Sequence, residues 1–515
     1  MSTRRLSVLL FLGAAALSGA TMLKGIQPND EGLMLQAASR IAHGEVPYSD
    51  FWWFYPPGQP YLLGGLWSIF GPSLLVWRIV RVLCDATVAL LAWRLARRAA
   101  PEPLALAAWL ATALAMAFPS GPHPYPLALA AALGALLCFE RSPVGAGVLV
   151  GVCAAWRLEF AAFAGLGILA AQAARPVAAR LRAATAGRFA GASFATGLLL
   201  YAPVVAAAGL RPSWELIVRY PLVDFRAYQQ LPLRLSYTDE WAFGSAREIL
   251  DTLGSVLHFY LPVVLLAGLA AALVALGLRF RRAEHWPRVA LAVFAVGMAS
   301  YLWTRPDYFH AAPLEVALAA LAAWAIAGRR EPAVARGGAL AVAGSAIAAL
   351  ALVWVLADGT DHRVRGIAQA TVRLDVPPGD GVRAEPDVAR PLAAAVAQVR
   401  RMTPGGGPIY VSGARNDLVT AGAPLFYVLA ERDNPTRYDI AAPGVLTSAP
   451  VQRRIVADLR RARPRVAVRW LSRLTDFPEP NKAGRSSGVR ILDDYLAATY
   501  RPVRRYGEWE VLERR

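Results

Sequence analysis

Long apolar runs recur along the first two thirds of the chain and stop near Leu356. Runs of roughly 18 to 25 residues recur, which is the length that an α-helix needs to cross the hydrocarbon core of a bilayer. Apolar residues make up 56% of the 515 residues and charged residues 17%, a balance typical of integral membrane proteins. We therefore predict a polytopic α-helical membrane protein with about eleven transmembrane helices in residues 1–357. Short runs of mixed periodicity then predict a small soluble α/β domain in residues 358–515.

Arginine clusters follow alternate apolar runs, and their spacing predicts the topology. Because cytoplasmic loops of membrane proteins are enriched in Lys and Arg, these clusters mark the cytoplasmic side. The segments 24–73 and 209–255 are then outer-face loops, and the C-terminal domain is extracytoplasmic. The expected location is the cytoplasmic (inner) membrane, with a multi-pass chain.

The net charge of +18 does not indicate a nucleic-acid partner. From Gly359 onward there are 26 Lys and Arg against 17 Asp and Glu, or +9, and the preceding residues carry the other +9. A nucleic-acid surface would need a localised basic patch with stacking aromatic residues, which this distribution does not provide. Membrane lipid is the expected partner. The three cysteines lie in apolar runs, so no disulfide framework is expected.

The segment from Pro28 to Gly58 directly follows the first apolar run and differs from an ordinary connecting loop. Two adjacent carboxylates, Asp30 and Glu31, come first, and the aromatic run Phe51–Tyr55 precedes a Pro-Pro-Gly turn. Long loops tend to carry function, so we interpret this one as a wall of a functional site. Two simpler interpretations stay open. Asp30 could be the N-cap of an amphipathic helix, and the aromatic run could be a membrane-interface belt instead of a platform for sugar stacking.

Two short apolar runs, 144–155 and 160–174, meet at the charged segment that contains Arg157 and Glu159. Short half-spans that meet at charged residues suggest helices that stop beneath the outer surface and line a cavity. The planar fork of an arginine suits phosphate oxygens. The alternative is that Arg157 and Glu159 form a structural pair between the half-spans.

A third polar group, Arg305, Asp307 and His310, follows the ninth apolar run and falls on the same predicted face. A carboxylate can take a proton from an acceptor hydroxyl, and an arginine can hold a phosphate. Together the three groups are what glycosyl transfer from a lipid phosphate needs. His310 could also be an ordinary structural histidine at the membrane interface.

The outer-loop residues resemble the N-terminal region of GT-C glycosyltransferases, in particular the bacterial branch of the protein O-mannosyltransferase and aminoarabinose transferase group. The residues that carry the resemblance are Asp30-Glu31-Gly32, Arg40-Ile41-Ala42-His43-Gly44, Pro47-Tyr48-Ser49-Asp50-Phe51, Pro56-Pro57-Gly58, and Phe70-Gly71 with Arg78. The likeness covers residues 1–100 and extends, in span count and loop placement, to Trp354.

The resemblance implies an inverting transfer of a sugar from a polyprenyl-phosphate donor to a glycan, lipid or protein acceptor on the outer face. It implies that Asp30 is the essential acidic residue, with Glu31 beside it, and that Arg157 contacts the donor phosphate, although many relatives have Lys there. The other candidates for substrate binding are Tyr55, Glu159, Arg305, Asp307 and His310. Some relatives bind a divalent metal ion near the acidic loop. Asp30, Glu31 and His310 could supply ligands, but no spacing motif supports such a site.

The alternative function is a non-catalytic transporter or scaffold for envelope glycans or lipids, which would use the same cavity for binding only. Transporters usually have interrupted helices at corresponding positions in two halves of the chain. The sequence has one interrupted pair, at residues 144–174, and no matching second pair, which favours an enzyme.

Overall fold

The computed structural model describes residues 2–121, 124–175, 177–231, 244–249, 253, 260–266, 268–269, 286–306, 308–328, 338–379 and 381–515. The principal helices before the C-terminal domain are α1 (Thr3–Gly19), α2 (Asp30–Ala42), α3 (Gly58–Phe70), α4 (Leu74–Ala96), α5 (Glu102–Met116), α6 (Tyr125–Cys138), α7 (Pro143–Trp156), α8 (Leu158–Ala174), α9 (Ala179–Ala208), α10 (Leu210–Trp214), α11 (Phe225–Gln229), α12 (Trp286–Thr304), α13 (Tyr308–Gly328) and α14 (Gly338–Ala368). A π-helix, Glu215–Asp224, joins α10 to α11.

The predicted apolar runs correspond to helices, apart from the run at 256–278, most of which lies outside the described residues. Within the described ranges, the helices long and apolar enough to cross a membrane are Ala179–Ala208, Pro287–Thr304, Phe309–Gly328 and Val342–Ala368. Helices α5 to α8 are apolar but shorter. The chain is therefore a polytopic α-helical membrane protein with a small C-terminal α/β domain, as the sequence predicts. The last membrane helix continues past residue 357 to Ala368.

Small residues allow the membrane helices to pack closely, as is usual where apolar helices meet in lipid. A Cβ added at Gly167 on α8 would lie 2.4 Å from the carbonyl oxygen of Ala290 on α12. The indole of Trp324 on α13 donates hydrogen bonds of 3.0 and 2.9 Å to the carbonyls of Leu95 and Ala96. These carbonyls lie at the end of α4, where they also accept hydrogen bonds from backbone N–H groups of the next turn.

The C-terminal domain has one four-stranded sheet with helices packed around it. Its elements are β1 (Val372–Arg373), β2 (Arg383–Ala384), α15 (Pro386–Met402), β3 (Ile409–Gly413), α16 (Leu425–Ala430), α17 (Ala449–Ala462), β4 (Val466–Trp470), α18 (Ile491–Thr499), β5 (Tyr500–Tyr506) and β6 (Trp509–Arg514). The strand order is β3-β4-β6-β5, with β3 and β4 parallel and the other pairs antiparallel. The sequence has short β-rich runs at 409–412, 466–470 and 508–512, which predict strands, and β3, β4 and β6 confirm them.

The sequence analysis missed strand β5, which lies at the edge of the sheet. Its central residues are exposed and include Arg501, Arg504 and Arg505, so it lacks the apolar alternation of a half-buried strand. Charged side chains on an edge strand also discourage pairing with another chain.

One apolar cluster joins the outer loop to the C-terminal domain. It contains Leu33 of α2 and Trp53 of the loop, together with Leu425 of α16 and Val468 of β4. Burial of this shared surface stabilises the contact at roughly 25 cal/mol per Å² of apolar area. The domain is therefore packed directly on the loop that carries the candidate catalytic residues.

Candidate functional site

Helix α2 begins at Asp30, directly after the first membrane helix and the turn that follows it. Asn29, not Asp30, occupies the N-cap position, so the interpretation of Asp30 as the N-cap is wrong. Asp30 is instead in the first turn, where the helix dipole favours a negative charge. Its Oδ1 accepts a hydrogen bond of 2.9 Å from the side-chain amide of Asn29.

Glu31 points away from Asp30 and is fully buried, at 0% exposure. Its two carboxylate oxygens accept hydrogen bonds of 2.7 and 2.8 Å from the guanidinium of Arg78 on α4. Arg78 also donates to the carbonyls of Met22 and Gly25, so the pair fixes the path of the chain between α1 and α2. The sequence analysis expects a catalytic role for Glu31. The geometry indicates a structural role, because a fully buried carboxylate cannot contact a substrate.

The aromatic run of the outer loop is buried within the protein. Phe51 and Trp53 are each 1% exposed, and Trp52 packs edge-on to Tyr220 of the π-helix, with ring centroids 4.9 Å apart. The interpretation of this run as a belt facing the membrane interface is therefore wrong. Because its rings are covered, the run offers no open platform for a sugar except at the half-buried Tyr55.

The loop reaches the break between α7 and α8 through a close backbone contact. A Cβ at Gly58 would lie 2.5 Å from the ring of Trp156 and 2.6 Å from the carbonyl oxygen of Ala155, so only glycine fits there. The indole of Trp156 also donates a 2.9 Å hydrogen bond to Gln59. This packing brings the end of the aromatic run next to Arg157.

Arg157 occupies the single non-helical position between α7 and α8, as the two short apolar runs predict. It is 7% exposed and forms a 2.6 Å ion pair with Glu159, as the alternative interpretation of these two residues has it. Its guanidinium lies 5.5 Å from the ring centroid of Tyr55 and 5.0 Å from that of Tyr301 on α12. Among the described residues, its Nε has no hydrogen-bond partner. The side chain therefore combines a structural ion pair with an unused donor.

Tyr55 is the point where the sequence-distant groups meet. Burial raises the pKa of the Tyr55 phenol above its ordinary value. The positive charges of Arg157 and Arg305 oppose this rise, and the negative charges of Asp30 and Glu159 add to it. Coulomb interactions weaken with distance, so the four charged groups that act on this one phenol lie around Tyr55. The structure thus brings Asp30 and Arg157 together around Tyr55.

Two of the remaining candidates lie at the margin of this site, and Asp307 lies outside the described residues. Arg305 binds Glu479 of the C-terminal domain through hydrogen bonds of 2.6 and 3.3 Å, a partner that the sequence did not indicate. His310 is buried, and its ring lies 4.5 Å from that of Tyr301, on α12. His310 thus packs against Tyr301, whose ring contacts Arg157. This agrees with the interpretation of His310 as a structural histidine.

The described residues of this site do not provide a set of ligands for a divalent metal ion. Across the described part of the chain, no group of three or more His, Cys, Asp and Glu side chains could hold one. Of the three ligands considered from the sequence, Glu31 has both oxygens bound to Arg78. We therefore derive no step that uses a metal.

The contact between the C-terminal domain and this site was not predicted from the sequence. The side chain of Asn29 accepts a 3.0 Å hydrogen bond from the backbone N–H of Gly422. In α2, the buried Arg40 pairs with Asp439 at 2.6 Å. A basic residue inside a helix that is otherwise half apolar was the only available signal, and it did not identify the partner.

Comparison with known proteins identifies the fold. No protein-family profile and no curated protein matches the sequence. Among solved structures, ArnT from Cupriavidus metallidurans bound to undecaprenyl phosphate is similar over 99% of this chain and 98% of its own, with a TM-score of 0.53 and 14% identity. The archaeal oligosaccharyltransferase AglB from Archaeoglobus fulgidus, in complex with an inhibitory peptide and a dolichol-phosphate, is similar over 90% of this chain and 69% of its own, with a TM-score of 0.54 and 13% identity.

The arabinofuranosyltransferase AftD from Mycobacteria is similar over all of this chain but 40% of its own, with a TM-score of 0.51 and 15% identity. All three structures are similar to this chain over at least 90% of its length. The resemblance stated from the outer-loop residues is confirmed at the level of the fold: the chain has the fold of the GT-C superfamily.

Proposed function

We propose that this protein is an integral membrane glycosyltransferase. It moves a sugar from a polyprenyl-phosphate donor to a hydroxyl group of a glycan, lipid or protein acceptor at the outer face of the cytoplasmic membrane. The observation that carries the proposal is the convergence of Asp30 and Arg157 on Tyr55. The fold supports it, because the similar ArnT and AglB structures contain undecaprenyl phosphate and dolichol-phosphate.

Asp30 is the base in this proposal. Its carboxylate takes the proton of the acceptor hydroxyl as the oxygen forms a bond with the anomeric carbon of the sugar. Its position in the first turn of α2 stabilises the ionised form that can accept a proton. Because one base acts and no covalent enzyme intermediate forms, the anomeric configuration inverts.

Arg157 holds the leaving group. The bond between the anomeric carbon and the phosphate oxygen breaks, and the phosphate leaves with the electron pair. The buried guanidinium, with its unused Nε donor, suits the charge that develops on that oxygen. The rings of Tyr55 and Tyr301 keep water from this charge, which strengthens the interaction.

The substitution Asp30→Asn tests the proposal, because it keeps the shape of the side chain and removes the base. Membranes that contain the protein are incubated with a panel of radiolabelled undecaprenyl-phosphate-linked sugars, and the release of undecaprenyl phosphate is measured. We expect the variant to lose at least about 10²-fold in rate, the usual contribution of a general base.

Asp50→Asn is the matched control, since Asp50 lies in the same outer loop and accepts hydrogen bonds only from Val46 and Ser49 among the contacts described. Its activity should stay near that of the wild type. Full activity in Asp30→Asn would refute the catalytic assignment. Binding of the donor without turnover of any panel member by the wild-type protein would favour the transporter or scaffold.

A further inference from the structure

Asn29 connects Asp30 to the C-terminal domain. Its side-chain Nδ2 donates a 2.9 Å hydrogen bond to Oδ1 of Asp30. Its Oδ1 accepts a 3.0 Å hydrogen bond from the backbone N–H of Gly422, almost 400 residues further along the chain. A single amide group therefore contacts both the proposed base and the soluble domain.

Only one orientation of this amide satisfies both contacts. A backbone N–H can only donate, so the oxygen of Asn29 must face Gly422. The nitrogen then faces Asp30, and an ionised carboxylate can only accept, so the donor and acceptor match. The contact with Gly422 thus determines that a donor, and not an oxygen, points at Asp30.

The backbone on both sides of the amide is fixed. The N–H of Leu425 donates a 3.1 Å hydrogen bond to the carbonyl of Pro28, directly before Asn29. A Cβ at Gly32 would lie 2.2 Å from the backbone nitrogen of Leu425, so the two segments approach as closely as glycine allows. Because both backbone segments are held in place, the Asn29 side chain has little freedom to turn away from Asp30.

We propose that Asn29 is a positioning residue for the Asp30 carboxylate, and that the C-terminal domain completes the active site by holding Asn29 through Gly422. This inference rests on the proposed function. A hydrogen bond donated to the charged form of a carboxylate favours that form and fixes its direction. The soluble domain is therefore part of the catalytic apparatus.

Several charged groups of the site lie near Asp30. The pKa of Tyr55 is affected by the charge of Asp30 and also by those of Arg157, Glu159 and Arg305. The ion pair of Glu31 with Arg78 lies next along the chain. The variants below leave all of these groups in place.

The substitution Asn29→Asp separates the two contacts of the amide. It keeps an oxygen for Gly422 but replaces the donor to Asp30 by a second carboxylate. Like charges in contact disfavour ionisation, so the acidic limb of the pH–rate profile should move to higher pH by about one unit. The rate should recover as the pH rises. Asn29→Ala removes both contacts, and we expect the turnover number to fall by about 10- to 100-fold with the donor KM unchanged.

Asn434→Ala is the matched control. Asn434 is also an asparagine in the contact between the domain and the loop, and it binds Asp439 and the carbonyl of Tyr438 without touching Asp30. It should lower the melting temperature without moving the acidic limb. Hydrogen exchange adds a readout independent of turnover: the Gly422 amide should exchange faster in Asn29→Ala than in Asn29→Asp.

An unchanged acidic limb in Asn29→Asp, or an equal shift in Asn434→Ala, would overturn the proposal. Equal exchange of the Gly422 amide in the wild type and in Asn29→Ala would do the same. These outcomes differ from failure of the proposed function, which would appear as retained activity in Asp30→Asn.

Discussion

Asp30 and Glu31 are neighbours in the chain, yet helix geometry separates their roles. Consecutive residues of an α-helix point about 100° apart, so one carboxylate of α2 can face inward while the other faces the site. Glu31 is buried in an ion pair with Arg78 at 2.7 Å. The charge of Asp30, in contrast, affects the pKa of Tyr55, as does the charge of Arg157. The pair therefore divides into one structural and one candidate catalytic group.

Substitution of Arg157 tests its proposed contact with the donor phosphate. Arg157→Lys keeps the charge but loses the planar fork, so we expect the Kd for undecaprenyl phosphate to rise by about tenfold, or about 1.4 kcal/mol. Arg157→Ala should weaken binding further. Binding to the purified protein in detergent measures the effect. The exposed Arg211, changed to Lys, serves as the control and should leave the Kd unaltered. Wild-type affinity in Arg157→Ala would argue against a phosphate contact.

The break between α7 and α8 and the start of α3 form the element that positions the site. The contact depends on the missing side chain of Gly58, since a Cβ there would lie 2.5 Å from Trp156. Because α7 ends and α8 begins at this break, the loop can pack against their ends. The loop and the helix break thus hold Tyr55 against Arg157.

Gly58→Ala should therefore push the loop away from the helix break and reduce transfer by about 10- to 100-fold, because small misplacements of a reacting group are costly. The assay is the release of undecaprenyl phosphate. Gly65→Ala, on the same helix, is the control: a Cβ there meets nothing within 4 Å. It should leave activity intact and stabilise α3 slightly. Equal activities in the two variants would show that the close contact between Gly58 and Trp156 is not needed for activity.

At the scale of the whole molecule, the C-terminal domain and the outer loop behave as one packed unit. They share an apolar cluster and the ion pair of Arg40 with Asp439. Glu479 of the domain also pairs with Arg305, which follows α12. Arg40 also donates to the carbonyls of Asn434 and Thr436, so its buried charge is well satisfied. Movement of the domain would therefore disturb the site.

Asp439→Asn tests this coupling. It leaves the buried guanidinium of Arg40 with a weaker partner, and we expect a loss of stability of roughly 3 kcal/mol. Thermal unfolding and limited proteolysis of the domain in detergent should both report the change, and transfer activity should fall with them. Asp433→Asn is the control, because Asp433 is exposed and lies 4.0 Å from His43. If Asp439→Asn resists protease as the wild type does, the pair does not hold the domain in place.

Features that depend on a local pattern of residues could be predicted from the amino-acid sequence alone. Apolar runs fixed the membrane helices, and a charged residue between two short runs fixed the break at Arg157. Apolar strands such as β4 followed from their composition. The outer-loop residues were sufficient to suggest the GT-C fold. In each case the signal lies within a few turns of helix or one strand.

The partners of the charged side chains could be identified only from the folded protein. Arg78 reaches Glu31 across 47 positions, and Arg40 reaches Asp439 across 399. No periodicity records such pairs, because the direction of a buried side chain depends on which elements pack around it. The aromatic run became core instead of a membrane-interface belt for the same reason: a domain from the other end of the chain covers it. The chemistry of the outer loop was therefore visible in the sequence, but its surroundings were not.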